Sequence, residues 1–374
     1  MDFSTPYRRE FPVTREWAYM NHAAVAPLSQ RAASAMQRAV EDVCRHGVAH
    51  HSLWQQAVAG LREAAARLIG AVPEEIAIVK NTTEGLSLVA NGLDWRPGDA
   101  MVAVEREFPA NYYPWKALEK RGVSVRWVPQ RQGRVELEDL DRACRGARLL
   151  AISYVQYLSG YRINLEAVGE ICARHGCLLV VDAIQGLGAF PVDVRQARIH
   201  ALSADGHKWL LGPEGCGILY VASECMPAIE PVEFGWASVA RWRDYDSRDS
   251  TLRPTAARYE CGSLNTIGCY GLLAAIDLLL EVGVGRIGER VAGLSRRIAA
   301  GAAARGYQVL TPPDGDSASG IVAFRKEGID STEAVQRLSA AGVAAAARSG
   351  WIRASPHFYV SEEEAEMLLA ALPG

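Results

Sequence analysis

Between residues 75 and 220 two kinds of segment alternate, and that alternation leaves few folds open. Short β-branched or apolar runs at 75–79, 100–104, 123–128, 149–153, 178–181 and 217–221 read as strands. Segments at 84–92, 112–121, 137–144 and 165–175 carry apolar residues at helical spacing. Strands that are apolar at nearly every position, separated by helices, belong to a parallel sheet covered on both faces. The expected class is α/β, with functional residues gathered at the carboxyl ends of the strands.

Beyond Val221 the pattern breaks. Residues 222–262 are rich in Trp, Arg, Asp and Pro and read as an irregular wrapping segment, in which Trp236 and Trp242 would shape a pocket or cover an interface. An amphipathic helix is expected over 266–282. A smaller α+β unit then follows, with strands at 320–324 and 351–355, helices at 331–341 and 361–372, and a loop at 312–317. The expected division is a large domain over 20–260 and a small one over 261–374 joined by 1–19; a chain of 374 residues can bury two cores.

A net charge of −3 gives no footprint for nucleic acid or an anionic membrane. The chain opens without a basic-then-apolar leader, and no apolar run reaches spanning length. It reads as a soluble, cytoplasmic protein. Its eight cysteines form no CxxC pair and read as buried thiols in a reducing compartment. His46, His50 and His51 have helical spacing, but without an acid or cysteine to complete the set no metal is expected.

The chemistry concentrates between Leu178 and Tyr220. LLVVD ends an apolar run at Asp182, and SADGHKWLLG puts Lys208 in a glycine-flanked turn. A pyridoxal phosphate (PLP) site requires this pair. The amine forms a Schiff base with the aldehyde, and the acid keeps the pyridine nitrogen protonated so that the ring accepts electrons from a substrate carbanion. The ordinary readings are a snorkelling surface lysine and a turn or N-cap acid. Asn81-Thr82-Thr83-Glu84-Gly85 follows a strand and opens a helix. Its N–H groups and hydroxyls suit a phosphate dianion, and Thr82 or Thr83 would equally serve as a plain helix cap. Gly186-Leu187-Gly188 lacks the third glycine of a dinucleotide fingerprint, and Pro191 obstructs the helix that motif needs.

These residues stand among further motifs: Tyr19-Met20-Asn21-His22-Ala23-Ala24, Glu107-Phe108-Pro109-Ala110-Asn111 and Arg353-Ala354-Ser355-Pro356-His357-Phe358. Together the chain resembles the class V aminotransferases of PLP fold type I. That group also holds cysteine desulfurases, selenocysteine lyases and isopenicillin N epimerase-like proteins. The resemblance implies a mostly parallel sheet in a large three-layer domain plus a smaller α+β domain. It implies that Lys208 carries the cofactor and shuttles the substrate proton, with Asp182 on the ring nitrogen. Gln185 would donate to the cofactor's phenolate oxygen, and His207 would touch the phosphate or the ring edge. Thr83, with Thr82 beside it, would bind the phosphate. Ser263 would reach the phosphate of a partner chain, making a homodimer with shared sites. Phe108 would stack on the ring where desulfurases carry a histidine. Arg353 would grip the substrate carboxylate, and Asn21, His22, Ala23 and Ala24 would line the substrate pocket.

Two positions depart from the family. Asp205 stands where a serine often meets the phosphate, and a carboxylate would repel it, so Asp205 is expected to face another donor. Residues 343–350 hold no counterpart of the desulfurase nucleophilic cysteine, which argues against persulfide chemistry by that route. The implied activity is at the α-carbon of a small amino acid or amine. Transamination comes first, elimination at a C–S or other β bond second, epimerisation third. All three share the residues above, and a catalytically silent scaffold of the same fold stays open.

Overall fold

A computed structural model describes residues 5–312 and 315–374, so Pro313 and Asp314 of the expected 312–317 loop lie outside the described residues. After a short helix α1 (Thr5–Arg8), strand β1 (Ala18–Tyr19) leads into helices α2 (Gln30–His46) and α3 (His51–Ile69). The large sheet is built from β2 (Ile76–Val79), β3 (Ala100–Val104), β4 (Ser124–Val128), β5 (Leu149–Ser153), β6 (Leu178–Asp182), β7 (Ala201–Asp205) and β8 (Gly217–Val221). Between these strands lie α4 (Thr82–Gly92), α5 (Tyr113–Lys116), α6 (Leu137–Cys144) and α7 (Leu165–His175). The sheet order is β2-β8-β7-β6-β5-β3-β4.

Strands β4, β3, β5, β6 and β7 pair in parallel, while β8 runs antiparallel to both β7 and β2. The sheet is mostly parallel, as expected; β8 is antiparallel because only a tight return separates Asp205 from Gly217 and no crossover helix fits there. Every position of β2, β3, β7 and β8 is buried, which is why these runs show no alternation. β2 ends the sheet, and its free edge is occupied: Glu260 accepts from Ile78 N–H at 2.8 Å and Arg62 donates to Ile76 O at 2.6 Å.

The helix expected over 112–121 is instead α5 flanked by 3-10 turns at Pro109–Asn111 and Ala117–Arg121, since Pro109 and Pro114 each fall at the start of a turn. Helix α8 (Thr266–Val282) spans the expected range but is not amphipathic; it buries residues on most of its faces. It packs against α2 and α3, with Gly271 against Met36 and Gly60 against Leu273. Helix α9 (Val284–Ala304) follows at 83° to it, and among the described residues no single helix is long and apolar enough to cross a membrane.

The remaining strands are β9 (Gln308–Val309), β10 (Val322–Arg325), β11 (Val343–Ala344), β12 (Ala346–Arg348) and β13 (Trp351–Ala354), with helices α10 (Ser331–Ala340) and α11 (Glu362–Ala371). The order β12-β13-β10-β9 makes an antiparallel sheet, and β1 pairs with β11. The segment after β1 is a strap between the two sheets. His22 N–H donates to Ser355 O at 3.2 Å, and Ala26 N–H donates to His207 O at 2.7 Å, in the turn after β7.

Gly188 supplies a test of this packing. Its φ is +97°, and a Cβ there would come within 2.2 Å of Trp209 O, next to Lys208. Gly188→Ala is expected to cost at least ~2 kcal/mol in chemical denaturation, from backbone strain and overpacking together.

Candidate active site

Two strands deliver their last residues to the same place: Asp182 ends β6 and Asp205 ends the neighbouring β7. Past Asp205 the chain turns back into β8, and Lys208 sits on that turn. Gly206 N–H donates to Cys216 O at 3.0 Å, and Gly212 N–H donates to Gly206 O at 2.9 Å, which closes the loop around the lysine. The adjoining Trp209 is fully buried, with its indole N–H on Gln185 Oε1 at 3.0 Å.

Lys208 is 7% exposed and Asp182 3% exposed. Burial pushes the amine down to about 8 and the carboxyl up to about 6, and the charge of each group partly offsets the shift of the other. They feel one another without forming an ion pair or a hydrogen bond. Asp182 Oδ1 accepts from Ile184 N–H at 3.1 Å. Lys208 Nζ lies 5.3 Å from the centroid of the Phe108 ring. That ring is 43% exposed, so it is not a core aromatic; it meets Tyr157 edge-on at 5.5 Å.

Arg353 reaches the site from β13. It is 2% exposed, its Nη1 donates to Tyr157 O at 2.8 Å, and its Nε has no partner. Burial and the neighbouring Arg348 draw the guanidinium down to about 10, and no acid is among the groups acting on it. A buried cation lacking a carboxylate is costly, and an anionic ligand is the natural remedy.

Gln185 is held at both ends. Because the Trp209 N–H can only donate, it fixes the amide orientation, and Nε2 then donates to Ala23 O at 3.0 Å. One hydrogen of that amide remains for a ligand. Asn81, not Thr82 or Thr83, caps α4 by accepting from Glu84 N–H at 2.9 Å. Thr82 Oγ1 accepts from Asp205 N–H at 3.0 Å, which leaves its own proton to donate, while Thr83 is exposed. Asp205 meets the donors expected of it: Gly206 N–H at 2.7 Å and His207 Nδ1 at 2.9 Å. The second contact is close but lacks hydrogen-bond alignment, so Nδ1 keeps no proper partner.

Three expectations change. His22 is fully buried, with Nδ1 on Ser355 O at 2.8 Å and Nε2 on the Tyr359 hydroxyl at 2.7 Å. Burial lowers it to about 4, so it is a neutral core histidine rather than a side chain lining the substrate pocket. Its neighbour Asn21 leaves a buried Oδ1 without a partner, and Ala24 is half-buried. Second, the acid thought missing from the histidine cluster is present: Asp42 lies beside His46 and His50, with its Oδ1 2.6 Å from His50 Nδ1. One helical turn separates Asp42 from His46, a spacing the sequence already carried. His51 instead stands edge-on to Trp54. Third, Glu107 escaped sequence reasoning as a site residue, and it is buried beside Asp182. Ser263 is exposed on a groove of about 410 Å³ that Trp236 and Trp242 also line.

The residues present fit PLP. Asp182 faces the amine without touching it, Phe108 offers a free ring, Gln185 a spare N–H, and the start of α4 its backbone donors.

Comparison with known proteins agrees. The family model for class V aminotransferases matches residues 18–368. The uncharacterized aminotransferase YcbU of Bacillus subtilis is 32% identical over 363 residues, covering 96% of this chain and 94% of that protein. The apo structure of a cysteine desulfurase from Thermococcus onnurineus superposes with a TM-score of 0.90 at 26% identity, covering 98% of this chain and 96% of that one. Two structures of the cystine C–S lyase C-DES superpose at TM-scores of 0.90 and 0.89, each 25% identical. They cover 97% and 96% of this chain and 98% of theirs. One carries glycine covalently linked to the PLP cofactor, the other the product cysteine persulfide.

The buried amine predicts a pH signature without any ligand. Its folded pKa of about 8 lies below the unfolded value of 10.5, so the unfolded chain binds the extra proton between these limits. Stability of the cofactor-free protein should rise from about pH 8 to about pH 10.5. Denaturant titrations should show the rise in wild type and its loss in Lys208→Met.

Proposed function

The chain belongs to the class V aminotransferase family and its cofactor is pyridoxal 5′-phosphate; we propose that Lys208 holds this cofactor covalently and that the protein is an aminotransferase acting on a small amino acid or amine. The observation that carries the cofactor assignment is a buried acid at the end of β6 and a buried amine on the turn after β7, opposite in charge and unpaired, with the Arg353 guanidinium keeping a partnerless Nε nearby. When bound, the cofactor supplies a protonated ring that delocalises the electron pair left at the α-carbon.

The roles of the chain's own groups follow. Asp182 would meet the ring nitrogen with its carboxylate and hold the proton there. Lys208 Nζ, drawn down to about 8, is deprotonated in a useful fraction near neutrality and can take and return the α-proton. Arg353 fits the substrate carboxylate with two parallel N–H donors. Gln185 directs its spare N–H at the phenolate oxygen, and Phe108 covers the ring with a face that cannot titrate. Thr83, Thr82, His207 and the first N–H groups of α4 hold the phosphate. Ser263, exposed here, joins the phosphate site of a second copy, so the working unit is a cytoplasmic homodimer. Residues 20–260 form the cofactor unit, and 261–374 with 1–19 form the unit that closes over substrate.

A second reading is a C–S β-eliminating lyase. It is favoured by the likeness to the cystine C–S lyase C-DES; the lack of a cysteine from Val343 to Gly350 removes only the persulfide-transfer route.

Mixing apoprotein with PLP should produce a visible absorbance band that Lys208→Ala lacks; identical spectra would remove the lysine assignment. A panel of amino acids, each with and without an α-keto acid, separates the reactions. New amino acid made only with keto acid present means transamination; pyruvate and sulfide from a sulfur amino acid mean elimination. Arg353→Lys should lower kcat/KM roughly a hundredfold, on the order of 3 kcal/mol, while the cofactor band survives.

A further inference from the structure

Glu107 is 8% exposed at the turn leaving β3, one residue before Phe108. Both its oxygens are spent on Ser153, the last residue of β5: Oε1 accepts from Ser153 N–H at 2.9 Å and Oε2 from the hydroxyl at 2.5 Å. Ser153 is the register partner of Asp182 across the β5–β6 pair. The turn itself is strained, because Arg106 adopts φ +55° without being glycine. Gln156 steadies it by donating to Arg106 O at 3.1 Å. A carboxyl group thus staples the segment carrying Phe108 to the strand beside the acid that faces Lys208.

We propose that Glu107 is a positioning residue of the cofactor site, clamping the Phe108 turn onto the end of β5. This rests on the reading of Lys208 and Asp182 as the cofactor's anchors. The groups facing Glu107 are Ser153 on β5, Asp182 on β6 and Asn111 on the following 3-10 turn, with Lys208 beyond Asp182. Burial raises Glu107 to about 7, the two Ser153 donors pull the other way, and the charge of Asp182 raises it again. Asp182 therefore gives up its proton first, and its charge keeps the proton on Glu107 towards neutrality. Replacing Glu107 by glutamine keeps an acceptor for Ser153 N–H but removes the titrating carboxyl group. Replacing it by aspartate keeps the charge but shortens the staple.

The experiment is a pH titration of the holoenzyme's visible band for wild type, Glu107→Gln and Glu107→Asp, with cofactor dissociation followed on the same samples. In Glu107→Gln the acid limb should stay near wild type, because Glu107 is already neutral where Asp182 titrates. In Glu107→Asp the limb should stay near wild type while the cofactor leaves several-fold faster. The apoproteins give a readout independent of cofactor. The folded value of about 7 lies above the ordinary 4.5, so the native state keeps a proton that the unfolded chain has lost. Glu107 therefore makes stability fall as pH rises between those values, and Glu107→Gln should remove that contribution. Cofactor loss at the wild-type rate in Glu107→Asp, or a stability profile that superimposes on wild type in Glu107→Gln, would overturn the proposal. A wild-type protein with no lysine-dependent band would instead bring down the reading of Lys208, and this inference with it.

Discussion

The structure depends on two opposite charges kept indoors and kept apart. Burying Lys208 and Asp182 disfavours the charged form of each, and direct contact would have relieved part of that cost. The fold withholds that contact: one group ends β6, and the other rides the turn that follows β7. Such an arrangement persists when a third body completes it. In the proposed reading, a ring with a cationic nitrogen at one end and an electrophilic carbon at the other would be that body.

Much of the surrounding structure keeps the gap open and correctly shaped. Trp209, next to the lysine, is gripped from several directions: its indole N–H by Gln185, its carbonyl by His357 at 3.2 Å, and its ring by the close approach of Gly320. Helix α8 presses Leu272 against Gly206 and Gly212, the hinges of the lysine turn. The strap after β1 ties the small sheet to the same turn through the Ala26–His207 bond. Arg353 therefore arrives at the site on a rigid strand, with its cost of burial offset in part by the Tyr157 carbonyl and, in the proposed reading, by the substrate carboxylate.

Sequence made some of this legible and hid the rest for physical reasons. Strands β3, β5 and β8 and helices α6, α7 and α8 were bounded correctly because unbroken apolar runs and helical spacing were both strong there. The direction of β8 was not readable, since an apolar run looks the same in either orientation. Helices α2, α3 and α9 lie outside those expectations: the buried faces of α2 and α3 are largely alanine, whereas α9 buries Ile287, Val291, Leu294 and Ile298 at a helical spacing that was there to be read. At the site, Lys208, Asp182 and Arg353 stood out by residue type in an apolar context. Glu107 did not, because an acid after a strand usually faces water, and only the fold brings Ser153 to it. His22 misled for the opposite reason: histidine in a chemistry-bearing motif suggested a ligand contact, whereas Ser355 and Tyr359 take both of its nitrogens.

The central claim is that one buried amine carries the cofactor. Reducing the purified holoenzyme with borohydride and mapping the modified peptide by mass spectrometry tests it most directly. A single pyridoxyl phosphate adduct on the peptide containing Lys208 is the predicted result. An adduct on another lysine, or none on a protein that retains the cofactor, would contradict it.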